Sequence, residues 1–231
     1  MLAYLIRHAE SLSNVGEARG LNDGLTDLGR EQSEALARRM KGVAVRALYS
    51  SPFRRALETA LPLADACGRP VALRPELCEH HHLPAGSVAD TELESVGEIT
   101  RRDPRVIPCP DHAGSFEWVP ADESFMRLVA RVQSFAAFLK KQWPGADDAV
   151  VVVSHGSPIA RLIEAWLVDE PGPSFRFIID NAAVNGLRHH EGVSSLVCLN
   201  EVSHLANLPA PEAANYRDDG SIRHLPGSGY W

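Results

Sequence analysis

Short apolar segments alternate with longer amphipathic ones along the chain, and the two patterns predict different elements. Apolar runs that end in polar or turn-forming residues predict strands at 2–6, 47–50, 71–73, 149–153, 184–187 and 195–199. Apolar residues repeated at helical spacing predict helices at 27–41, 52–67, 90–102, 123–143 and 157–168. Because helices separate most of the strands, the sequence predicts an α/β fold with three α/β/α layers and a mostly parallel central sheet.

Capping residues and glycines mark the ends of several predicted helices. Thr26 precedes the first helix as an N-cap, and Gly42 follows its last turn. Ser51 is predicted to cap the second helix, with Pro52 in its first turn, and this helix ends before Gly68. An apolar stripe in the fourth helix predicts core packing, and it consists of Phe125, Leu128, Val129, Val132, Phe135 and Leu139.

Composition and charge limit the possible partners. The 231 residues are 45% hydrophobic, which is enough to bury a substantial core. A net charge of -7 does not attract nucleic acid or an anionic membrane, so an anionic ligand must be held by a local cluster of positive groups. The apolar run before Arg7 is too short for a signal peptide, and no segment approaches the length of a membrane span. The sequence therefore predicts a cytoplasmic protein.

The cysteines and the histidine run do not form a metal-binding pattern. The four cysteines lack CxxC spacing, which favours reduced thiols over a disulfide framework or a zinc site, and they are Cys67, Cys78, Cys109 and Cys198. The run His80-His81-His82 cannot direct all its side chains to one point, and no carboxylate or cysteine pattern supports it. No metal and no other cofactor is expected.

Basic and imidazole side chains follow three of the predicted strands. Arg7 and His8 end the first strand, Arg54 and Arg55 come shortly after the second, and His155 follows the fourth. Because ligands bind at the carboxyl edge of a parallel sheet, these groups are expected to converge there. Guanidinium groups match phosphoryl oxygens, and two helices begin at the same edge with free N–H groups. The sequence predicts a site for a phosphate dianion.

Several blocks of sequence, in a fixed order, resemble one known family. They are Leu5-Ile6-Arg7-His8-Ala9-Glu10-Ser11-Leu12-Ser13-Asn14, Leu25-Thr26-Asp27-Leu28-Gly29, Tyr49-Ser50-Ser51-Pro52-Phe53-Arg54-Arg55-Ala56-Leu57-Glu58-Thr59-Ala60, Asp122-Glu123-Ser124-Phe125 with Arg131-Val132, Val153-Ser154-His155-Gly156, and Asn181-Ala182. Together they resemble the histidine phosphatase superfamily, also called phosphoglycerate mutase-like. The resemblance implies a phosphoglycerate mutase-like domain over residues 1–208 with a variable substrate-covering insert at about 80–121. The content of Pro, Gly and Asp predicts a C-terminal tail at 209–231.

The resemblance also implies roles for individual residues. His8 matches the nucleophile that becomes a phosphohistidine, while Arg7, Arg55 and His155 match the pocket for the phosphoryl oxygens. Arg55 is preferred to Arg54 because the family's arginine directly precedes the alanine of its block. Further positions that match phosphate-binding or site-closing residues are Asn14, Gly20 and Gly156.

Glu79 matches the family's acid/base carboxylate, which protonates the leaving oxygen and then acts as base on water. The family usually continues with an aromatic residue and glycine, whereas this chain continues with three histidines, so Glu76 is kept as the alternative carboxylate. The pair Arg101-Arg102 is expected to be a solvated helix surface, although it also resembles an arginine pair that mutases use on the substrate carboxylate.

Both hydrolysis and phosphoryl transfer between substrates fit this resemblance. Three features of the sequence favour hydrolysis. The region between Glu79 and the fourth helix is short, Ser157 stands where mutases usually carry asparagine, and the mutase tyrosine after the glutamate is absent. We therefore expect a metal-independent phosphatase of a small phosphorylated metabolite. The alternatives are a phosphoglycerate mutase dependent on 2,3-bisphosphoglycerate, a phosphoprotein phosphatase, and a non-catalytic binding or regulatory protein.

Overall fold

A computed structural model describes residues 1–18, 20–80, 94–108, 123–168 and 177–209 of the chain. The strands are Leu2–Arg7 (β1), Val45–Ser50 (β2), Val71–Leu73 (β3), Val106–Ile107 (β4), Ala149–Ser154 (β5), Val184–His190 (β6) and Val193–Glu201 (β7). The helices are Asp27–Met40 (α1), Arg54–Cys67 (α2), Val96–Arg102 (α3), Phe125–Gln142 (α4) and Gly156–Leu167 (α5).

The strands form one mixed, mostly parallel sheet with the order β4-β3-β2-β5-β1-β6-β7. All pairs from β4 to β1 are parallel, whereas β6 is antiparallel to β1 and β7 is antiparallel to β6. A two-residue turn joins β6 to β7, and its residues Glu191 and Gly192 both have positive φ, as a type I′ hairpin turn requires. The predicted α/β fold with a mostly parallel central sheet is confirmed.

Two apolar cores cover the two faces of the sheet because successive strand residues point to opposite sides. Leu5 and Val152 pack under α4 and α5, in a core that includes Phe135 and Trp166. The other core packs Ile6, Val151 and Val153 under α1, α2 and α3, together with Leu36, Leu57, Leu63 and Ile99. These two cores produce the predicted three α/β/α layers.

Helix α1 begins and ends as predicted, but α2 does not begin at Ser51. The hydroxyl of Thr26 accepts a hydrogen bond from Gly29 N and caps α1. Helix α2 starts at Arg54, and its N-cap residue Phe53 provides no side-chain cap. Instead, Arg54 N donates to Oδ1 of Asn22, at 2.8 Å. The prediction was wrong because a residue distant in sequence supplies the acceptor that a local serine was expected to provide.

Helix α4 is shorter than predicted at both ends. The Ser124 side chain accepts from Arg127 N, so Ser124 is the N-cap and Glu123 lies before the helix. Most of the predicted stripe is buried, but Phe125 is 44% exposed and is not a core residue. This part of the prediction was wrong because periodicity alone does not show where a helix leaves the protein body.

The strand register brings the carboxyl ends of the central strands to one level. Arg7 of β1 pairs with Ser154 of β5, and Ser50 of β2 pairs with Val153 of the same strand. The residues that directly follow β1, β2 and β5 therefore meet at one edge of the sheet. This is the edge that carries the candidate site.

Some sequence predictions fall on other parts of the chain. His81, His82, Cys109 and the tail from residue 210 onward lie outside the described residues, as does most of the insert at 80–121. The helix predicted at 90–102 begins only at Val96, because Ser95 is its N-cap and forms a capping box with Glu98. Cys67, Cys78 and Cys198 are free thiols. Among the described residues, no helix combines the length and the apolar character needed to cross a bilayer.

Candidate functional site

Two imidazole rings from distant parts of the chain meet at the carboxyl edge of the sheet. His8 follows β1 and His155 follows the adjacent β5, and their ring centroids are 5.0 Å apart in an edge-to-face arrangement. Both side chains are buried, with exposed fractions of 3% and 0%. The structure therefore brings together the two histidines that the sequence analysis placed at one site.

The main chain around His8 is held from four directions. His8 N donates to Ser154 O at 2.8 Å, which extends the pairing of β1 and β5 by one residue. The next amide, Ala9 N, donates to Oγ1 of Thr59 at 3.0 Å. The carbonyl of His8 accepts from Asn181 Nδ2 at 3.0 Å and from Ala182 N at 3.2 Å. These bonds fix the position of the His8 ring before any ligand binds.

One hydrogen bond fixes the tautomer of His8. Its Nδ1 lies 2.7 Å from the carbonyl oxygen of Ala9, and because a carbonyl can only accept, Nδ1 carries the proton. In the neutral ring the lone pair then lies on Nε2, the nitrogen available for attack on an electrophile. Burial holds the pKa of His8 well below 6.5, and the nearby charges of Arg55 and Arg7 lower it further. The His8 ring is therefore neutral at physiological pH, with an available lone pair on Nε2.

This depressed pKa predicts that His8 weakens the protein on acidification. Below about pH 6.5 the unfolded chain binds a proton at His8 that the folded protein does not bind. The free energy of unfolding should therefore fall with decreasing pH, by up to about 1.4 kcal/mol per pH unit from this residue. We expect the wild type to lose stability relative to His8→Asn between about pH 7.5 and pH 5.5, as measured by urea unfolding. A stability difference that stays constant over this range would show that His8 titrates normally.

The Arg7 side chain is half-buried near His8, and its guanidinium is only partly bonded. Its Nη1 donates to Ile179 O at 2.6 Å. Its buried Nε has no hydrogen-bond partner among the described residues. A Cβ atom added to Gly156 would lie 3.9 Å from this Nε, so the first residue of α5 packs directly against the guanidinium. Arg7 thus keeps a buried donor at the position where α5 begins.

Arg55, and not Arg54, faces the site. Its side chain is buried and lies over the Phe53 ring, 4.9 Å from the centroid, while Nη1 donates to Leu21 O at 2.9 Å. Burial lowers the pKa of Arg55, and the negative charges of Glu79 and Asp23 oppose this shift. The guanidinium remains a cation at neutral pH. In contrast, Arg54 is 54% exposed and forms an ion pair with Glu58 at 2.6 Å.

Ser51 contacts His155 in place of its predicted role as a helix cap. The hydroxyl Oγ of Ser51 lies 2.8 Å from Nε2 of His155. The His155 ring also meets the Phe53 ring edge to face, at a centroid distance of 5.4 Å. His155 is the N-cap residue of α5, so its ring is fixed by the start of that helix and by the Ser51–Phe53 segment. The sequence analysis missed Ser51 at the site, although the residue stands in a family block.

Asn14 is the predicted phosphate ligand whose oxygen is already engaged. Its Oδ1 accepts from Ser11 N at 3.0 Å, from Ser11 Oγ at 2.9 Å and from Asn181 Nδ2 at 3.1 Å. This arrangement leaves the Asn14 amide N–H groups as donors for a ligand. Asn181 links Asn14 to the carbonyl of His8. It is a second site residue that the sequence analysis quoted within a block without assigning it a role.

Gly20 adjoins the site through the residue that follows it in the chain. It precedes Leu21, whose carbonyl accepts from Arg55, and it lines an open cleft of about 480 Å³. Arg102 lines the same cleft and forms an ion pair with Glu94, and its side chain is 47% exposed, as expected for a solvated helix surface. Arg101, the other member of the pair, is exposed. Asn22 and Arg54 line this cleft as well, whereas the two imidazoles do not.

Glu79 and Glu76 have different surroundings. Glu79 is half-buried, its Oε1 accepts from His80 N at 2.8 Å, and its charge acts on Arg55. Glu76 instead forms an ion pair with Arg74 at 2.8 Å, and the Arg74 guanidinium lies over the Phe138 ring of the core. Glu79 is therefore the carboxylate on the side of the site. His80, the one described member of the histidine run, donates from Nε2 to Glu123 O.

Together these groups form a positive, buried site in an acidic protein. Two imidazoles and two guanidiniums lie close together, and the charge of the half-buried Glu79 acts on Arg55. Such an arrangement can bind a phosphoryl dianion, attack it with a neutral imidazole, and exchange a proton with the leaving oxygen. Within the described ranges, no group of three or more His, Cys, Asp or Glu side chains could hold a metal ion.

Comparisons with known proteins give one family and a mixed set of activities. The family model described as "Histidine phosphatase superfamily (branch 1)" matches residues 3–202. Phosphoserine phosphatase 1 of Hydrogenobacter thermophilus is 30% identical, over 88% of this chain and 94% of its own length. A probable phosphoglycerate mutase of Erwinia tasmaniensis is 26% identical, over 81% of this chain and 85% of its own. A solved mycobacterial glucosyl-3-phosphoglycerate phosphatase, in complex with VO3, is 28% identical with a TM-score of 0.63, covering 86% of this chain and 98% of its own.

Proposed function

Since this chain belongs to branch 1 of the histidine phosphatase superfamily, we propose that it is a metal-independent phosphatase that hydrolyses a small phosphomonoester through a phosphohistidine at His8. The observation that carries this proposal is the neutral, oriented His8 ring beside the buried Arg55 and half-buried Arg7 guanidiniums. In the proposed assignment the catalytic domain spans residues 1–208.

Substrate binding neutralises the phosphoryl charge before the chemistry begins. Arg7 and Arg55 present planar sets of donors to the phosphoryl oxygens, and the buried Nε of Arg7 gains an acceptor. The free N–H groups at the start of α5 and the amide of Asn14 add further donors. The His155 imidazole, with its ring centroid 5.0 Å from that of His8, completes the pocket. These groups supply the electrostatic stabilisation that metal ions supply in other phosphoryl-transfer enzymes.

In the first step, Nε2 of His8 attacks phosphorus in line with the ester bond. The N–P bond forms as the bond between phosphorus and the ester oxygen breaks. Glu79, in its protonated form, gives its proton to the departing oxygen, so an alcohol leaves and a carboxylate remains. Ala9 O keeps the proton on Nδ1 throughout, which stabilises the positive charge that develops on the ring.

In the second step, water attacks the phosphohistidine. The Glu79 carboxylate removes a proton from the water, the new P–O bond forms, and the N–P bond breaks. The electron pair of that bond returns to Nε2, so His8 is again neutral and Glu79 is again protonated. Inorganic phosphate then leaves the site. Each group recovers its starting state, so the cycle needs no further reactant.

Hydrolysis is proposed over mutase activity on two grounds. The sequence lacks the mutase tyrosine after Glu79 and carries Ser157 where mutases usually have asparagine. The relatives described above include two enzymes named as phosphatases, at 30% and 28% identity. Another relative, at 26% identity, is named as a probable phosphoglycerate mutase. Isomerisation dependent on 2,3-bisphosphoglycerate is therefore the second candidate function.

A substrate panel in the presence of chelator tests this function. The panel contains phosphoserine, glucosyl-3-phosphoglycerate, simple alkyl phosphates, and 3-phosphoglycerate with and without 2,3-bisphosphoglycerate. We expect release of inorganic phosphate from at least one monoester, at a rate that EDTA does not reduce. Isomerisation of 3-phosphoglycerate faster than phosphate release would overturn the choice of hydrolysis in favour of the mutase.

A further inference from the structure

A buried ion pair lies beside the segment that carries Glu79. Glu123 precedes α4, and Arg131 lies two turns into that helix. Their side chains are only 2% and 12% exposed, and they form two hydrogen bonds, from Nε to Oε1 at 2.7 Å and from Nη2 to Oε2 at 2.8 Å. The two planar groups are therefore locked in one orientation.

The same pair holds both ends of the segment 76–80. The remaining nitrogen of the Arg131 guanidinium, Nη1, donates to Glu76 O at 2.6 Å. At the other end, Nε2 of His80 donates to the main-chain carbonyl of Glu123 at 2.8 Å. Between these two anchors the hydroxyl of Ser154 donates to Leu77 O at 2.7 Å. Glu79 lies within the anchored segment, one residue before His80.

These contacts fix the orientation of the segment 76–80 more than they stabilise the folded protein. A buried ion pair adds little net stability compared with apolar side chains of similar volume, because the loss of hydration offsets the attraction. The arginine fork, however, places its donors in a fixed plane, so the carbonyl of Glu76 has a fixed position relative to α4. The role of a general acid depends on such placement, since an error of about 1 Å can lower a rate by about 100-fold.

We infer that Arg131 and Glu123 are positioning residues that hold Glu79 at the leaving-group oxygen. This inference rests on the proposed phosphatase function and on the acid role of Glu79 within it. Loss of the ion pair releases the Glu76 carbonyl and the Glu123 main chain together. The Glu79 carboxyl then leaves the position from which it protonates the ester oxygen, while His8, Arg7 and Arg55 keep their own contacts.

The dependence of rate on the leaving group separates this role from a purely structural one. p-Nitrophenyl phosphate has a good leaving group that needs little protonation, whereas an alkyl phosphate requires the acid. For Arg131→Met we expect kcat/KM to fall about 10- to 100-fold on the alkyl phosphate and less than about threefold on p-nitrophenyl phosphate. Arg131→Lys should recover only part of this loss, because an ammonium group cannot make the paired contacts.

Three further variants make the test decisive. Arg127 lies one turn before Arg131 on α4, at an exposed position, so Arg127→Met should leave both rates unchanged. In Arg131→Met the buried Glu123 carboxylate loses its ion-pair partner, which can prevent folding. The double variant Glu123→Leu with Arg131→Met removes both charges, so it can be measured even if the single variant does not fold. It should show the same selective loss on the alkyl phosphate. Glu79→Gln is the reference, with the largest selective loss of all.

The outcomes distinguish failure of this inference from failure of the proposed function. Suppose that Glu79→Gln lowers the rate mainly on the alkyl phosphate. If the folded Arg131 variants then lower the two rates equally, or lower neither rate, Arg131 does not position the acid. If Glu79→Gln itself lowers both rates equally, Glu79 is not the leaving-group acid and the inference fails with it. Selective losses in Glu79→Gln, Arg131→Met and the double variant support the positioning role.

Discussion

Replacement of His8 by alanine should abolish turnover, with a fall in kcat of roughly 10⁴-fold or more. The reason is that His8 is proposed to form the covalent bond to phosphorus. A small shift of the neighbouring side chains would not supply another nucleophile in its place. Its ring is buried, its tautomer is fixed by Ala9 O, and its pKa is held low by burial and by the nearby arginines. The measurement is steady-state phosphate release on the substrate identified by the panel.

A labelling experiment gives the same prediction without steady-state assays. Wild-type protein quenched after mixing with ³²P-labelled substrate should carry acid-labile, base-stable label, as a phosphohistidine does, and His8→Ala should carry none. The matched control is His190→Ala, at a half-exposed position at the end of β6, which should label and turn over as the wild type does. Equal labelling of His8→Ala and wild type would remove His8 as the nucleophile and with it the proposed mechanism.

Arg55→Met should lower kcat/KM by about 10³- to 10⁵-fold, the range found for arginines that stabilise a phosphoryl group in its transition state. Arg55 is buried beside His8, so its charge acts on the phosphoryl oxygens through a poorly screened medium. The same change should also raise the pKa of His8, because the Arg55 charge is one of the causes of its depression.

Arg54→Met is the matched control, since the two arginines are adjacent in sequence but point in different directions. Arg54 is exposed and paired with Glu58, so its loss should cost no more than about tenfold in kcat/KM. A larger loss for Arg54→Met than for Arg55→Met would reverse the assignment of the phosphate-binding arginine. It would also show that the ion pair with Glu58 opens when substrate binds.

Six of the seven described strands and most helix ends could be predicted because their signals are local, whereas the two-residue β4 was not predicted. The apolar runs of β1 and β5 are buried on both faces, and alternate residues of each strand enter the two cores. Thr26 caps α1 through its own hydroxyl. Helix α2 ends at Gly68, which adopts the left-handed backbone conformation that glycine favours. The start of α2 could not be predicted in this way, because Asn22 supplies its cap from another loop.

The candidate site could be predicted to the level of residue type and sheet edge. Arg7, Arg55 and the two histidines follow strands whose ends must meet in a parallel sheet, and the family blocks distinguished Arg55 from Arg54. Ser51 and Asn181 were missed because their roles are contacts with residues more than a hundred positions away in the chain. The contact of Arg131 with Glu76 O spans 55 positions and is equally invisible to local patterns.

By itself, the sequence determined the fold class, the order of the elements other than β4, and the identity of the groups that meet at the edge carrying the candidate site. Periodicity and strand ends are properties of neighbouring residues, and burial of apolar side chains enforces them wherever they occur. Only the tertiary structure decided the state and orientation of those groups: the tautomer and low pKa of His8, the inward direction of Arg55, and the anchoring of Glu79 through Arg131. These depend on burial and on single hydrogen bonds between distant segments, and such contacts exist only once the chain is folded.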